Sequence, residues 1–153
     1  MFTVRAIDPA ILESLRGKGI DVSGNPVVEQ DASGGEPLRC CLRDAVAGER
    51  LMLFGFEPVL PASPYREIGA VFAHARRCDG PARTGYPEGW RGRSQVLRAY
   101  DARGWIHPAT RVHDGEDPEG VIADVLSDAA VVRVDSRNVA YGCFMFTVTR
   151  SVL

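Results

Sequence analysis

Lysine is almost missing from this chain. One lysine, Lys18, stands against 17 arginines in 153 residues. The arginines are scattered and outweighed by 20 acidic residues, for a net charge of −2. That balance argues against the concentrated basic footprint of a nucleic-acid-binding protein. Long apolar runs are also missing. None approaches the roughly 18 residues of a membrane-spanning helix. The N-terminal stretch M-F-T-V-R-A-I-D-P has neither the charged region nor the apolar core of a secretory signal. No G-x-x-x-x-G-K-[ST] or strand-following G-x-G-x-x-G is present, so no nucleotide cradle is expected. Cysteine is limited to Cys40, Cys41, Cys78 and Cys143, with no C-x-x-C pair. Adjacent residues on a strand point to opposite faces, so Cys40 and Cys41 are not expected to bridge. Free thiols in a reducing cytoplasm are the expectation.

What is present is an ordinary globular composition, 45% apolar and 25% charged. The length suits one domain, residues 1–153. A domain of this size buries roughly 70% of its unfolded surface and needs no metal or disulfide to hold together.

Hydrophobic patterning supplies the elements. Phe2 to Ile7 alternates as a strand. Asp8-Pro9 opens a helix, with Ile11, Leu12 and Leu15 on its apolar face and Gly17 as a stop. Lys18 to Pro37 is poor in large apolar residues, with weak extended structure over 22–28 and a loop over 31–37. Leu38 to Phe56 is the densest apolar run of the first half and reads as two strands joined near Asp44 to Glu49. In that reading Leu38, Cys40 and Leu42 share one face, and Arg39, Cys41 and Arg43 the other. Arg50 to Phe56 is apolar on both sides, the mark of a central strand. Pro58, Pro61 and Pro64 interrupt the pattern. Strands follow at 70–75 and 94–101, with a possible partner strand at 105–112. Between the first two lies an irregular excursion, 76–93, holding five arginines, Tyr86 and Trp90. Asp117-Pro118-Glu119 opens a second helix, buried through Val121, Ile122, Val125, Leu126 and Ala129. A strand at 130–135, a turn at 136–141 and a closing strand at 142–150 complete the chain. The short links predict an α+β fold in which a mostly antiparallel sheet of about six to eight strands carries two helices.

The pieces P-L-R-C-C-L-R-D-A-V-A-G-E, S-P-Y, V-F-A-H, V-L-R-A-Y-D-A-R-G, H-D-G and N-V-A-Y-G-C-F-M-F-T-V-T-R occur in this order. The chain thereby resembles the bacterial domain-of-unknown-function family number 1203 over most of its length, up to Arg150. The resemblance implies a small bacterial protein and no particular activity. Its pattern falls on Arg39, Leu42, Asp44, Gly48, Glu49, Ser63, Pro64, Tyr65, Phe72, Arg98, Asp101, Gly115, Asn138, Gly142, Cys143 and Arg150. It departs at Leu38, where the family pattern has cysteine, and in the loop from Cys78 to Arg91.

Several chemistries compete for these residues. A zinc site would draw on His74-x-x-x-Cys78 with Cys40 or Cys41, plus Cys143, yet structural zinc sites normally show paired ligands, and here one mixed pair exists. No metal and no cofactor are therefore expected. A cysteine nucleophile, Cys41 or Cys143 with His74, would make the chain an enzyme. Strand arginines on half-buried faces seek carboxylates or ligands. The leading expectation is a cytoplasmic binding or interaction domain. Its Arg-lined cleft, built from Arg39, Arg98, Tyr100, Asn138 and Arg150, would take a small anionic molecule or a protein partner. A third reading has the 76–93 loop contact nucleic acid, with Tyr86 and Trp90 stacking on bases.

Overall fold

A computed structural model describes residues 1–152. The class is α+β, and ten strands divide between two five-stranded sheets. The first sheet has the order β1 (Phe2–Arg5), β10 (Phe144–Arg150), β9 (Arg133–Asn138), β7 (Gln95–Tyr100) and β8 (Arg111–His113), all antiparallel. The second runs β2 (Val28–Asp31), β5 (Arg50–Phe56), β6 (Gly69–His74), β3 (Pro37–Leu38) and β4 (Arg43–Asp44). One of its pairings, β3 with β6, is parallel and rests on Leu38 opposite Phe72.

Each sheet has its own helix and its own core. Helix α1 (Pro9–Lys18) is capped by Asp8, which accepts from the Ala10 amide at 2.9 Å. It runs through Gly17 and ends at Gly19, whose left-handed φ of 67° closes it. Leu12 and Leu15 pack it on the second sheet with Leu51, Met52, Phe54 and Val71. Helix α2 (Pro118–Leu126) is capped by Asp117. Ile122, Val125 and Leu126 pack with Leu97, Val134, Phe146 and Trp90 against the first sheet. β5 is central, flanked by β2 and β6, as its two-sided apolar pattern requires.

Three expected segments differ. Cys40 and Cys41 lie in a four-residue turn, 39–42, between β3 and β4, closed by the Leu42 amide on the Leu38 carbonyl at 2.9 Å. They are not strand neighbours, and Arg39, Cys41 and Arg43 do not share a charged face. Strand β9 lies three residues later than the 130–135 reading and takes in Ser136, Arg137 and Asn138. Of the 105–112 strand, only residues 111 and 112 are regular, in a short strand that ends at His113.

Candidate metal centre

The turn at 39–42 aims four consecutive side chains in different directions. Leu42 adopts φ 57°, the one positive φ of a non-glycine residue among those described. That conformation costs roughly 1–2 kcal/mol and is held by burial of the side chain in the core of the first sheet. At the other end Arg39 is 2% exposed. Its guanidinium donates to the carbonyls of Phe144 at 2.7 Å and Pro37 at 2.5 Å. Arg39 is therefore a clasp between the hairpin and β10. Burial pushes its pKa down to about 10. Neither Asp44 nor Glu49 pairs with it. Asp44 receives Trp90 Nε1 and Arg93.

Between these anchors Cys40 and Cys41 turn toward the end of β6. The His74 amide donates to Cys40 Sγ at 3.3 Å. His74 Nδ1 lies 3.4 Å from Cys40 Sγ and 3.8 Å from Cys41 Sγ, and the two sulfurs are 3.9 Å apart. Cys78, four residues beyond β6, completes the group. The four ligand atoms lie within 4.8 Å of one another. Cys40 is buried and the other three are partly buried.

The other face of the imidazole is fixed as well. His74 Nε2 is 2.7 Å from Glu49 Oε2. A carboxylate there requires the proton on Nε2 and leaves the Nδ1 lone pair facing the sulfurs. Glu49 is itself gripped by both terminal nitrogens of Arg43, at 2.8 and 2.9 Å, and by the Val46 amide at 2.7 Å. Arg43 first, then Val46 and His74, hold its carboxyl far below the usual carboxylate range. The thiols are also unequal. Cys40 donates to Cys41, which lowers the Cys41 pKa and raises that of Cys40, while burial raises that of Cys78.

The other sequence-predicted residues do not join this group. Cys143 lies outside it, against the Tyr141 carbonyl. Arg150 caps the end of α2, donating to the carbonyls of Leu126, Asp128 and Val131. Asn138 donates to Met145 Sδ. Arg98 pairs with Glu67, and the buried Tyr100 shares its strand face. Arg39, Arg98, Tyr100, Asn138 and Arg150 therefore do not line one cleft. Tyr86 and Trp90 are buried in the core of the first sheet, so the 76–93 loop offers neither ring for base stacking. Sequence reasoning places Glu49 in the family pattern but gives it no contact with His74. It lies 25 positions from His74 and carries no local signal of its role. The zinc reading of the sequence names His74 and Cys78 with either Cys40 or Cys41 and adds Cys143, where the structure brings both Cys40 and Cys41 to the group and leaves Cys143 out.

A family model described as "Protein of unknown function (DUF1203)" matches residues 35–150, a span that takes in the whole cluster and Glu49. No curated protein and no solved structure matches the chain. Among the described residues no helix is long and apolar enough to cross a membrane.

Proposed function

Because the chain belongs to the DUF1203 family, whose description assigns no activity, its function rests on its own residues, and we propose that it is a zinc-binding domain. Three thiolates, from Cys40, Cys41 and Cys78, and His74 Nδ1 hold one ion. The observation that carries this is the mutual spacing of the four atoms. Bonds of about 2.3 Å to sulfur and 2.0 Å to nitrogen place tetrahedral ligands roughly 3.5–3.8 Å apart. The separations of 3.4, 3.8 and 3.9 Å among Cys40, Cys41 and His74 are such edges, and the Cys78 sulfur lies within 4.8 Å of all three. Thiolate and imidazole donors suit a soft or borderline cation over magnesium or calcium. The compactness suits a single ion over a cluster.

Four protein ligands make a structural centre rather than one with a position open for substrate. The ion ties the hairpin turn to the end of β6 and to the start of the irregular segment 75–87. The Glu49–His74 contact is the carboxylate–histidine pairing that orients metal-bound imidazoles. The same contacts weigh against a Cys41–His74 nucleophile pair, since Nδ1 meets two thiols at once and the ring cannot swing from Glu49.

The test is metal analysis of purified protein, with zinc titration of the metal-stripped chain. One zinc per chain is expected, with loss of binding in Cys78→Ser and in His74→Ala. Protein that purifies without metal and takes up none on titration refutes the proposal.

A further inference from the structure

A second constellation lies on the first sheet, on the face turned away from α2. Cross-strand register places Arg98 opposite Asp135, Tyr100 opposite Arg133, and Val96 opposite Arg137. The segment 57–68, with three prolines, passes over this face. Arg133 donates to the Val59 carbonyl and Ser63 to the Gly104 carbonyl. Part of the polar layer beneath is complete. Asp135, fully buried, is met by Arg133 Nε at 2.8 Å and by the Thr147 hydroxyl at 3.0 Å.

The rest is not complete. Arg98 and Arg137 both point at one oxygen of one carboxylate, Glu67 Oε1, at 2.5 and 2.6 Å. Two guanidinium groups thus share a single negative charge, which leaves an excess of +1. Arg137 comes from a central strand, and its side chain is 9% exposed. Its Nε, though buried, has no hydrogen-bond partner among the described residues, and neither has the hydroxyl of Tyr100, which is 1% exposed. Buried polar atoms are nearly always paired. The unpaired Nε of Arg137, on a guanidinium that shares its one carboxylate with Arg98, marks a place where an acceptor belongs. Glu67 reaches this place from the overlying segment with a side chain that is 48% exposed. Beside it opens a cavity of about 210 Å³, walled by Arg137 and Glu67 and by the apolar surfaces of Phe56, Pro58 and Phe144. That is below the roughly 300–1,000 Å³ typical of drug-sized ligands.

We infer that this cavity binds a small organic carboxylate with a short apolar body. The carboxylate takes a seat beside Glu67, against Arg137 and Arg98, and supplies the second negative charge that the two guanidinium groups lack. The fork of a guanidinium matches a planar carboxylate in two-point geometry. The apolar body lies on Phe56, Pro58 and Phe144. This site shares no residue with the thiol cluster and stands independently of zinc.

The experiment is calorimetric titration of the full chain with benzoate and butyrate, alongside benzamide, butyramide and sulfate. Both carboxylates are expected to bind at millimolar concentration or better, and the amides to fail. Glu67→Gln, which removes the one negative charge already beside the seat, is expected to bind benzoate about tenfold tighter, a gain of about 1.4 kcal/mol. Arg137→Gln is expected to abolish binding. Arg98→Gln, at a more exposed position, supplies the same test should Arg137→Gln fail to fold. The inference is overturned if amide and acid bind alike, if Glu67→Gln gives no gain, or if Arg98→Gln leaves binding intact. It is equally overturned if sulfate binds as tightly as benzoate, which would assign the seat to an inorganic oxyanion. The comparison of acid with amide needs only the wild-type chain and stands whatever the variants do.

Discussion

The thiol cluster and the Arg98–Glu67–Arg137 group are both made where an irregular segment meets a sheet, and they differ in how their polar atoms are matched. Around the His74 imidazole the outer contacts are matched. Nε2 faces Glu49, the backbone amide faces Cys40, and Glu49 collects Arg43 and Val46 besides. Around Arg137 the counts do not match, with two guanidinium groups to one carboxylate and the buried Arg137 Nε left over. A site whose outer contacts are complete is pre-organised and resists change. A site with surplus donors is poised to accept something from outside. The first pattern suits a permanent ion, the second an exchangeable ligand.

The largest expected effect comes from removing the ion. Where free zinc exceeds its dissociation constant a thousandfold, bound zinc stabilises the fold by about 4 kcal/mol. Urea denaturation with and without a strong chelator should show a shift of that order. Hydrogen exchange should localise the loosening to residues 39–42 and 75–87. An unchanged midpoint would erase the contrast between the two regions.

Glu49→Gln comes next. A neutral amide still accepts from Nε2–H but orients the ring less firmly, and zinc affinity should fall about 10- to 100-fold with the fold intact. A competition assay with a chromogenic chelator measures it, and unaltered affinity would show that Glu49 does not steer His74.

Tyr100→Phe should behave in the opposite way to Glu49→Gln. Deleting a hydroxyl that has no partner removes a desolvation penalty, so stability should hold or rise, within about 1 kcal/mol. A loss of 2 kcal/mol or more in urea titration would mean that the hydroxyl is satisfied after all.

The smallest effect belongs to His113, buried outside both regions. Its Nδ1 accepts from the Gly115 amide, its Nε2 has no partner among the described residues, and burial lowers its pKa. The unfolded chain therefore takes up this proton first as pH falls below about 6.5. Its contribution is full above that pH and declines below it. In His113→Asn the drop in urea midpoint between pH 7.5 and 5.5 should shrink. A drop as steep as in wild type would remove His113 from the account.

The sequence carried the helices plainly, because Asp8-Pro9 and Asp117-Pro118 state cap and first turn within a few residues. It carried the centrality of β5 in its two-sided apolar run. The phase of β9 was hidden, since Ser136 and Arg137 look like turn residues. Their buried polar groups find partners in Gln95 and Glu67, from elsewhere in the chain. The hairpin turn was hidden in a regular alternation of apolar residues, which gives no sign of a leucine in left-handed conformation. The thiol cluster was half visible. His74 and Cys78 announce each other by spacing, but Cys40 and Cys41 join them only through the pairing of β3 with β6. The expected meeting of Arg98 with the other arginines failed because Arg39 and Arg150 spend their donors on backbone carbonyls. Arg98 meets Arg137 instead, through Glu67, which no local pattern marks.

The parallel pairing of Leu38 with Phe72 also sets an order of events. Cys40 and Cys41 leave the ribosome well ahead of His74, which lies 34 positions after Cys40. Until β6 docks beside β3, the nascent chain offers two neighbouring thiols and nothing to complete them. The centre therefore closes late, after a non-local contact that is slow to form. In the zinc-binding reading proposed above, capture of the ion would then report on folding, since only a correctly registered second sheet brings all four donors together.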